Sequence, residues 1–378
     1  MIIIDQLTLI LSVVVLISAL LTPLMNPFFR RLRREDPPHP TSTGVTILLV
    51  SNGDATALDE HLPIFLTQDY DGDYQVIVVG EKADTDTVNV LKRYANDPKL
   101  YSTFIPETAR YMSRNKLAIT LGVKASKNEW IILSDPRCKP TSNHWLLEMA
   151  CHTTDHHHLV LGYTLFSSDA KAFHRFEHLH TALYLLREAQ EGHAYRTNCM
   201  NIAFRKSDFM SRNGFLEHLK YAVGEYDFLV NKYAGEGTKA VATTTETWLT
   251  ENALSDRSWQ NRHVYYQEIR RHLEGGVGHR LLYNTDQWLL HLNYLLIIFA
   301  GIFAGLTSRW ILLGCAVVAL GVTVSLRTIF GKKALKEYGV EIAIYKIIPF
   351  ELKIFWFNLM TKIRYENADK YDFISHKV

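Results

Sequence analysis

Four carboxylates are the residues of this 378-residue chain whose types and spacing point most directly to chemistry: Asp54, Glu81, Asp84 and Asp135. Each lies one to four residues after a continuous apolar run, VTILLV at 45–50, YQVIVVG at 74–80 and WIILS at 130–134. Acids gathered at successive strand ends repel one another, so the gathering is stable only around a cation or a row of ligand hydroxyls. The fourth acid opens the sequence Asp135-Pro136-Arg137-Cys138, which sets a cation two residues from a carboxylate.

Other clusters are less informative. His156, His157 and His158 are adjacent and so point in different directions, which suits a polar loop. The segment FHRFEHLHTALYLL, carrying His174, Glu177, His178 and His180, has helical spacing but lacks the His-Glu pair of the zinc peptidase motif. It is expected to form an amphipathic helix on the membrane surface, histidines on its polar side. GEGTKA and EGGVGH are turns without a phosphate-loop lysine. The four cysteines, Cys138, Cys151, Cys199 and Cys315, form no CxxC pair, so reduced thiols in a cytoplasmic compartment are expected.

The elements that must carry these residues follow from the apolar pattern. Apolar runs bounded by turn residues mark strands buried on both faces of a parallel sheet. Between and after them, ATALDEHLPIFLTQDY, TDTVNVLKRYA and RNKLAITLGVKAS have helical spacing, and KLYSTFI reads as a shorter strand. This alternation predicts an α/β, doubly wound fold over residues 44–280, whose ligands bind beyond the carboxyl ends of the strands.

Three further runs are long enough to cross a bilayer. No charge falls between Asp5 and Arg30, and 6–24 approaches the roughly 20 residues needed. Residues 288–306 and 310–326 are joined only by Thr307, Ser308 and Arg309, which predicts a helical hairpin at 286–327. RRLRR at 30–34 follows the first run, and Arg327, Lys332, Lys333 and Lys336 follow the third. Basic residues stay cytoplasmic, so the N-terminus is expected outside and the 44–280 domain inside, after a linker at 30–43. His291 and Asn293 are expected to be interfacial or helix-packing groups. Residues 335–365 are too charged to span and predict an interfacial amphipathic helix, followed by a polar tail at 366–378. Hydrophobic residues make up 47% and charged residues 21%, which excludes a disordered chain, and a net charge of +2 argues against a nucleic-acid binder.

With these residues the chain resembles the membrane-anchored family 2 glycosyltransferases, the group of the cellulose, hyaluronan and poly-N-acetylglucosamine synthases. The resemblance runs over about 45–275 in five ordered blocks. They are VTILLVSNGDATALDEHLPIFLTQDYDGDYQVIVVGEKADTDT, RNKLAITLGVKASKNEWIILSDPRCKP, NIAFRKSDFMSRNGF, GEYDFLV and QEIRRHL. It implies a GT-A (Rossmann-like) domain that moves a sugar, with inversion, from a UDP-linked or similar donor to a lipid-linked or membrane-associated saccharide acceptor. It also implies a homo-oligomer or polysaccharide-assembly partner. By position, Asp54, Glu81, Asp135 and Arg137 are expected at the donor, Glu225 as general base with Asp227 in support, and Gln267, Arg270 and Arg271 at the acceptor and diphosphate. Arg205 or Lys206 would face the donor phosphates.

The sequence departs from the family pattern at three points. Gly53 stands for Asn, Gly224-Glu225 for the Glu-Asp pair, and Arg137 for the second Asp of the Asp-x-Asp metal motif. A lone Asp135 holds Mg²⁺ or Mn²⁺ weakly. Two readings follow: Arg137 forks onto the diphosphate in place of the metal, or the protein is a catalytically silent homologue that acts as a scaffold.

Overall fold

The computed structural model describes residues 5–34, 42–106, 113–234 and 238–374. The elements are α1 (Gln6–Met25), β1 (Val45–Val50), α2 (Ala55–Leu66), β2 (Tyr74–Glu81), α3 (Thr85–Arg93), β3 (Leu100–Ile105), α4 (Arg114–Ala125), β4 (Trp130–Ser134), β5 (Cys138–Pro140), α5 (Trp145–Ala150), β6 (His157–Leu161), β7 (Thr164–Phe166), α6 (Ala172–Gln190), β8 (Asn201–Arg205), α7 (Lys206–Ser211), α8 (Glu225–Ala234), β9 (Thr238–Val241), β10 (Leu249–Glu251), α9 (Asp256–Ile269), α10 (Gly276–Leu306), α11 (Trp310–Glu337) and α12 (Ile347–Glu366). They group into two compact units.

The larger unit comprises Leu32–Lys171, Leu185–Glu274 and Thr361–Val378. Its main sheet has seven strands in the order β3-β2-β1-β4-β8-β6-β9. Strands β1 to β4 are parallel, whereas β8 runs antiparallel to both β4 and β6. The continuous apolar runs do lie at its centre: Val45, Ile47, Leu49, Val76 and Val78 are buried with Leu58, Leu62 and Phe65 of α2, while Leu48, Ile77 and Val79 are buried on the other face, Leu48 against Gly122 of α4. Because β1, β2 and β4 run in register, their carboxyl ends deliver Ser51, Glu81 and Asp135 to one edge. A second sheet, β5-β10-β7, starts just beyond that edge, with Glu251 of β10 opposite Cys138 of β5.

The smaller unit comprises Met1–Arg31, Ala172–Tyr184 and Gly275–Met360. Helices α1, α10 and α11 are each long and apolar enough to cross a membrane. They pack through small residues, Ala19, Ala300, Ala304, Ala316 and Ala319, which let the backbones approach closely. Ser18 donates to Asn293 at 2.8 Å and Asn293 donates to Thr323 at 2.9 Å, so a hydrogen-bond chain crosses all three helices. At the hairpin end, Arg309 pairs with Asp5 and with Thr8.

At the opposite end a buried charge knot joins the helices. Arg327 of α11 donates to Asp286 of α10 at 2.9 Å, to Glu351 of α12 at 2.7 Å and to the Thr22 carbonyl of α1 at 2.9 Å. Asn26 donates to the same Glu351, and both acids are ion-paired with Arg327. Removing one member of such a buried set costs roughly 3–5 kcal/mol, because the remaining charge is left uncompensated.

Two features differ from the sequence reading. The histidines of α6 do not line a polar, solvent-facing side: His174, His178 and His180 are at most 6% exposed, and Phe176 and Glu177 are buried with them. Aromatic packing explains this, since Phe176 and His180 meet Phe28, and Phe173 and Phe176 meet Phe350. The C-terminal segment is also divided. Helix α11 continues to Glu337, Gly339 turns the chain with φ +66°, and α12 begins only at Ile347. Along α12, Trp356, Leu359, Met360 and Ile363 remain exposed at helical spacing while Glu351 and Ile354 are buried.

Candidate active site

The site grows from the carboxyl edge of β1, β2 and β4. After β1 the chain turns through Gly53, whose φ of +75° suits a residue without a side chain, and Asp54 precedes α2. After β4, Asp135 accepts three bonds from Arg137, from its backbone N–H at 2.9 Å and from Nε and Nη2 at 2.8 Å each. The guanidinium therefore forks onto the carboxylate, and its Nε lies 4.0 Å from Asp54. Burial works against ionisation of Asp135, but the Arg137 bonds and charge hold it below its ordinary value. Burial raises Asp54, with Asp135, Asp84 and Glu251 adding to the rise and Arg137 opposing it.

Residues from far along the chain complete this group. Glu251, fully buried, accepts from Arg262 of α9, with Nη1 at 3.2 Å, and its charge is felt by Arg137 and Asp54. The sequence reading missed both residues. The only signal was an acid closing the three-residue strand LTE, too short to recognise without its partners β5 and β7.

Glu225 and Asp227 stand on the first turn of α8. Glu225 is 8% exposed, and among the described residues its Oε1 has no hydrogen-bond partner, nor has Oδ1 of Asp227 or Oε1 of Gln267. Buried acceptors left this way are rare and mark where an O–H or N–H donor is due. Arg196 reaches to 4.0 Å of Asp227 and stacks 3.8 Å above the Tyr266 ring. Tyr226 feels the charges of Asp135 and Arg137 as well as Glu225, so the two acid groups share one region. Gly224 lies against Ile269 of α9, where a Cβ would come within 2.9 Å.

Burial pushes Asp227 up from 3.8 to about 6, partly opposed by Arg196 and a Thr197 backbone bond. Because the folded value is the higher one, the carboxyl contributes most stability below pH ~4 and loses it as the pH rises through about 6. Asp227→Asn is therefore expected to stabilise the protein at pH 8 by on the order of 2 kcal/mol, since each tenfold change in proton affinity is worth about 1.4 kcal/mol. Thermal unfolding in detergent at pH 8 and pH 4 checks this. An equal difference at the two pH values would reject it.

The remaining expected site residues make contacts of their own. Glu81 pairs with Arg114 at the end of β2. Arg271 is exposed and donates to Tyr365 at 2.9 Å, which in turn donates to Glu268. The Arg270 backbone carbonyl accepts from Tyr195 at 3.3 Å. Arg205 and Lys206 do not face the donor side. Arg205 pairs in register with Trp130 at the start of β4, the opposite end from Asp135, and donates to the carbonyls of His157 and Thr154. Lys206 donates to the Ser126 carbonyl at 2.6 Å. Of the three adjacent histidines, His157 bonds the His152 carbonyl and His158 pairs with Asp208.

Comparison with known proteins gives the fold a context. The mannosyltransferase PcManGT from Pyrobaculum calidifontis, solved in complex with GDP-Man and Mn²⁺, has a TM-score of 0.52 at 16% identity, over 87% of this chain and 97% of that chain. S. aureus TarS 1-349 in complex with UDP-GlcNAc gives 0.45 at 9% identity, over 86% and 92%, too low a score to argue from. No curated protein matches the sequence. The first likeness establishes a GT-A-like fold. The match at the level of sequence is to glycosyl transferase family 21, and not specifically to the cellulose and hyaluronan synthases. That family's model covers residues 8–341, so the chain belongs to glycosyl transferase family 21 and is a glycosyltransferase.

Proposed function

We propose that the protein transfers a sugar with inversion from a nucleotide-sugar donor to a lipid-linked or membrane-associated saccharide acceptor, without a divalent ion. The observation that carries this reading is the Arg137 guanidinium held between Asp135 and Asp54. The donor set does not fit a metal. Both Asp135 oxygens are engaged by Arg137, and among the described residues no group of three His, Cys, Asp or Glu side chains could hold an ion. With Nε and Nη2 committed, Nη1 of Arg137 is left to meet diphosphate oxygens as the leaving group gains charge. The acceptor hydroxyl attacks the anomeric carbon, the bond to the nucleotide diphosphate breaks, and Glu225 takes the hydroxyl proton. Asp54 and Glu81 border the donor, and Gln267 and Arg270 border the acceptor. Arg271, turned to Tyr365, supports this region from outside.

The three apolar helices anchor the chain in a bilayer, and the basic residues after α1 and in α11 put the larger unit on the cytoplasmic face with the N-terminus outside. The exposed apolar stripe of α12 lies in the interface. Three spans are few for a polymer channel in one chain, which favours a membrane-held acceptor over a secreted homopolymer. Purified protein assayed with labelled nucleotide sugars, with and without chelator, tests the proposal. Chelator-resistant transfer supports it, and transfer that requires an added metal ion overturns the role given to Arg137.

A further inference from the structure

A second cation, fully buried, acts on the candidate base. Lys116 sits in the first turn of α4 and is 0% exposed. Burying an ammonium is costly unless all its surroundings are arranged for it. Here Nζ donates to the carbonyls of Tyr221 at 2.7 Å and Val223 at 2.8 Å. The neighbouring Ser113, the N-cap of α4, donates through Oγ to the Ala222 carbonyl at 2.9 Å and through its backbone N–H to the Leu219 carbonyl at 3.0 Å. Three successive carbonyls, 221, 222 and 223, are therefore fastened to the start of α4. The next residue is Gly224 with φ +97°, and the one after it is Glu225.

We propose that Lys116 is a positioning residue for the Glu225 base: it fixes the segment that aims the carboxylate and sets a buried positive charge near it. This rests on the reading of Glu225 as the base. A simpler means would have sufficed to hold the loop, because two carbonyls can be capped by any neutral donor. A buried charge beside a carboxylate does something a neutral donor does not, and the two groups do interact. Burial lowers the Lys116 ammonium and the Glu225 charge opposes that fall. Other ionisable groups around the pair are Tyr226 and Asp227 on α8 and His218 before it, with Arg196 and Arg262 acting on Asp227.

Two variants separate position from charge. Lys116→Gln keeps an amide able to donate to both carbonyls but removes the charge, and Lys116→Met removes both. In the pH profile of kcat, Lys116→Gln is expected to move the acid limb upward by about one pH unit, with donor Kd changed less than about threefold. Lys116→Met is expected to lower kcat by about 100-fold as well, again with donor binding kept. If Lys116→Met does not fold, the acid limb of Lys116→Gln alone decides. An unmoved acid limb in a folded Lys116→Gln overturns the proposal. So does loss of donor binding in parallel with kcat, which would make Lys116 merely structural. Glu225→Gln, measured beside them, keeps the two readings apart: an active Glu225→Gln removes the base assignment itself. An inactive Glu225→Gln with an unmoved Lys116→Gln profile removes only the role of Lys116.

Discussion

Glu225→Gln is expected to lower kcat by about 1,000-fold or more while donor Kd stays within about threefold of the native value. The amide keeps the shape of the side chain and can still meet an incoming hydroxyl, but it cannot take the proton. The effect should fall on kcat because proton removal matters only as the new glycosidic bond forms. Oε1 of Glu225 has no partner among the described residues although it is buried, which is a costly arrangement unless substrate completes it. Asp227, on the same helical turn and pushed to about 6, is the competitor for the role. Transfer assays with labelled donor, alongside calorimetric donor binding, decide between them. Retained turnover in Glu225→Gln with loss in Asp227→Asn would move the base to Asp227.

Arg137→Ala is expected to reduce turnover by about 100- to 1,000-fold, the usual cost of removing one preorganised group from a developing negative charge. It also strips Asp135 of its two side-chain bonds and leaves Asp54 and Asp135 facing each other unscreened. Added Mg²⁺ or Mn²⁺ should not restore the alanine variant, since among the described residues no three acidic, His or Cys side chains converge to hold an ion. Arg137→Asp should behave differently. It puts a second carboxylate two residues after Asp135, and its activity should become dependent on added Mn²⁺. Steady-state turnover of both variants across a metal series checks this. Near-native turnover of Arg137→Ala in chelator would show that the guanidinium does not carry the leaving-group charge.

Much of the larger unit was legible because its strands are buried on both faces. A run such as VTILLV has few other uses, and the residue after such a run is bound to fall at the sheet's carboxyl edge. Asp54, Glu81 and Asp135 were visible for that reason, and Arg137 drew attention as a cation among them. Glu251 and Arg262 were not visible, because β10 has three residues and gains its meaning from strands more than 80 residues earlier in the chain. Periodicity also misled for α6. Histidines suggested a wet face, but spacing does not say what covers a face, and Phe28 and Phe350 cover this one. Arg205 and Lys206 had a suitable charge but the wrong end of the sheet, since β8 runs antiparallel to β4. Composition cannot report strand direction.

The charge knot around Arg327 has a consequence for biogenesis. An arginine in an otherwise apolar helix opposes partition into lipid by roughly 2.5–3.5 kcal/mol near the centre and less toward the interface. Its partners are supplied in order of synthesis: Thr22 first, Asp286 next, Glu351 last. Until α12 emerges from the ribosome, Arg327 has one of its two acids and Asn26 lacks the acceptor it will use. The anchor is therefore locked only once α12 has been made, and a nascent chain stopped before residue 351 presents the translocon and quality-control proteases with an unlatched bundle.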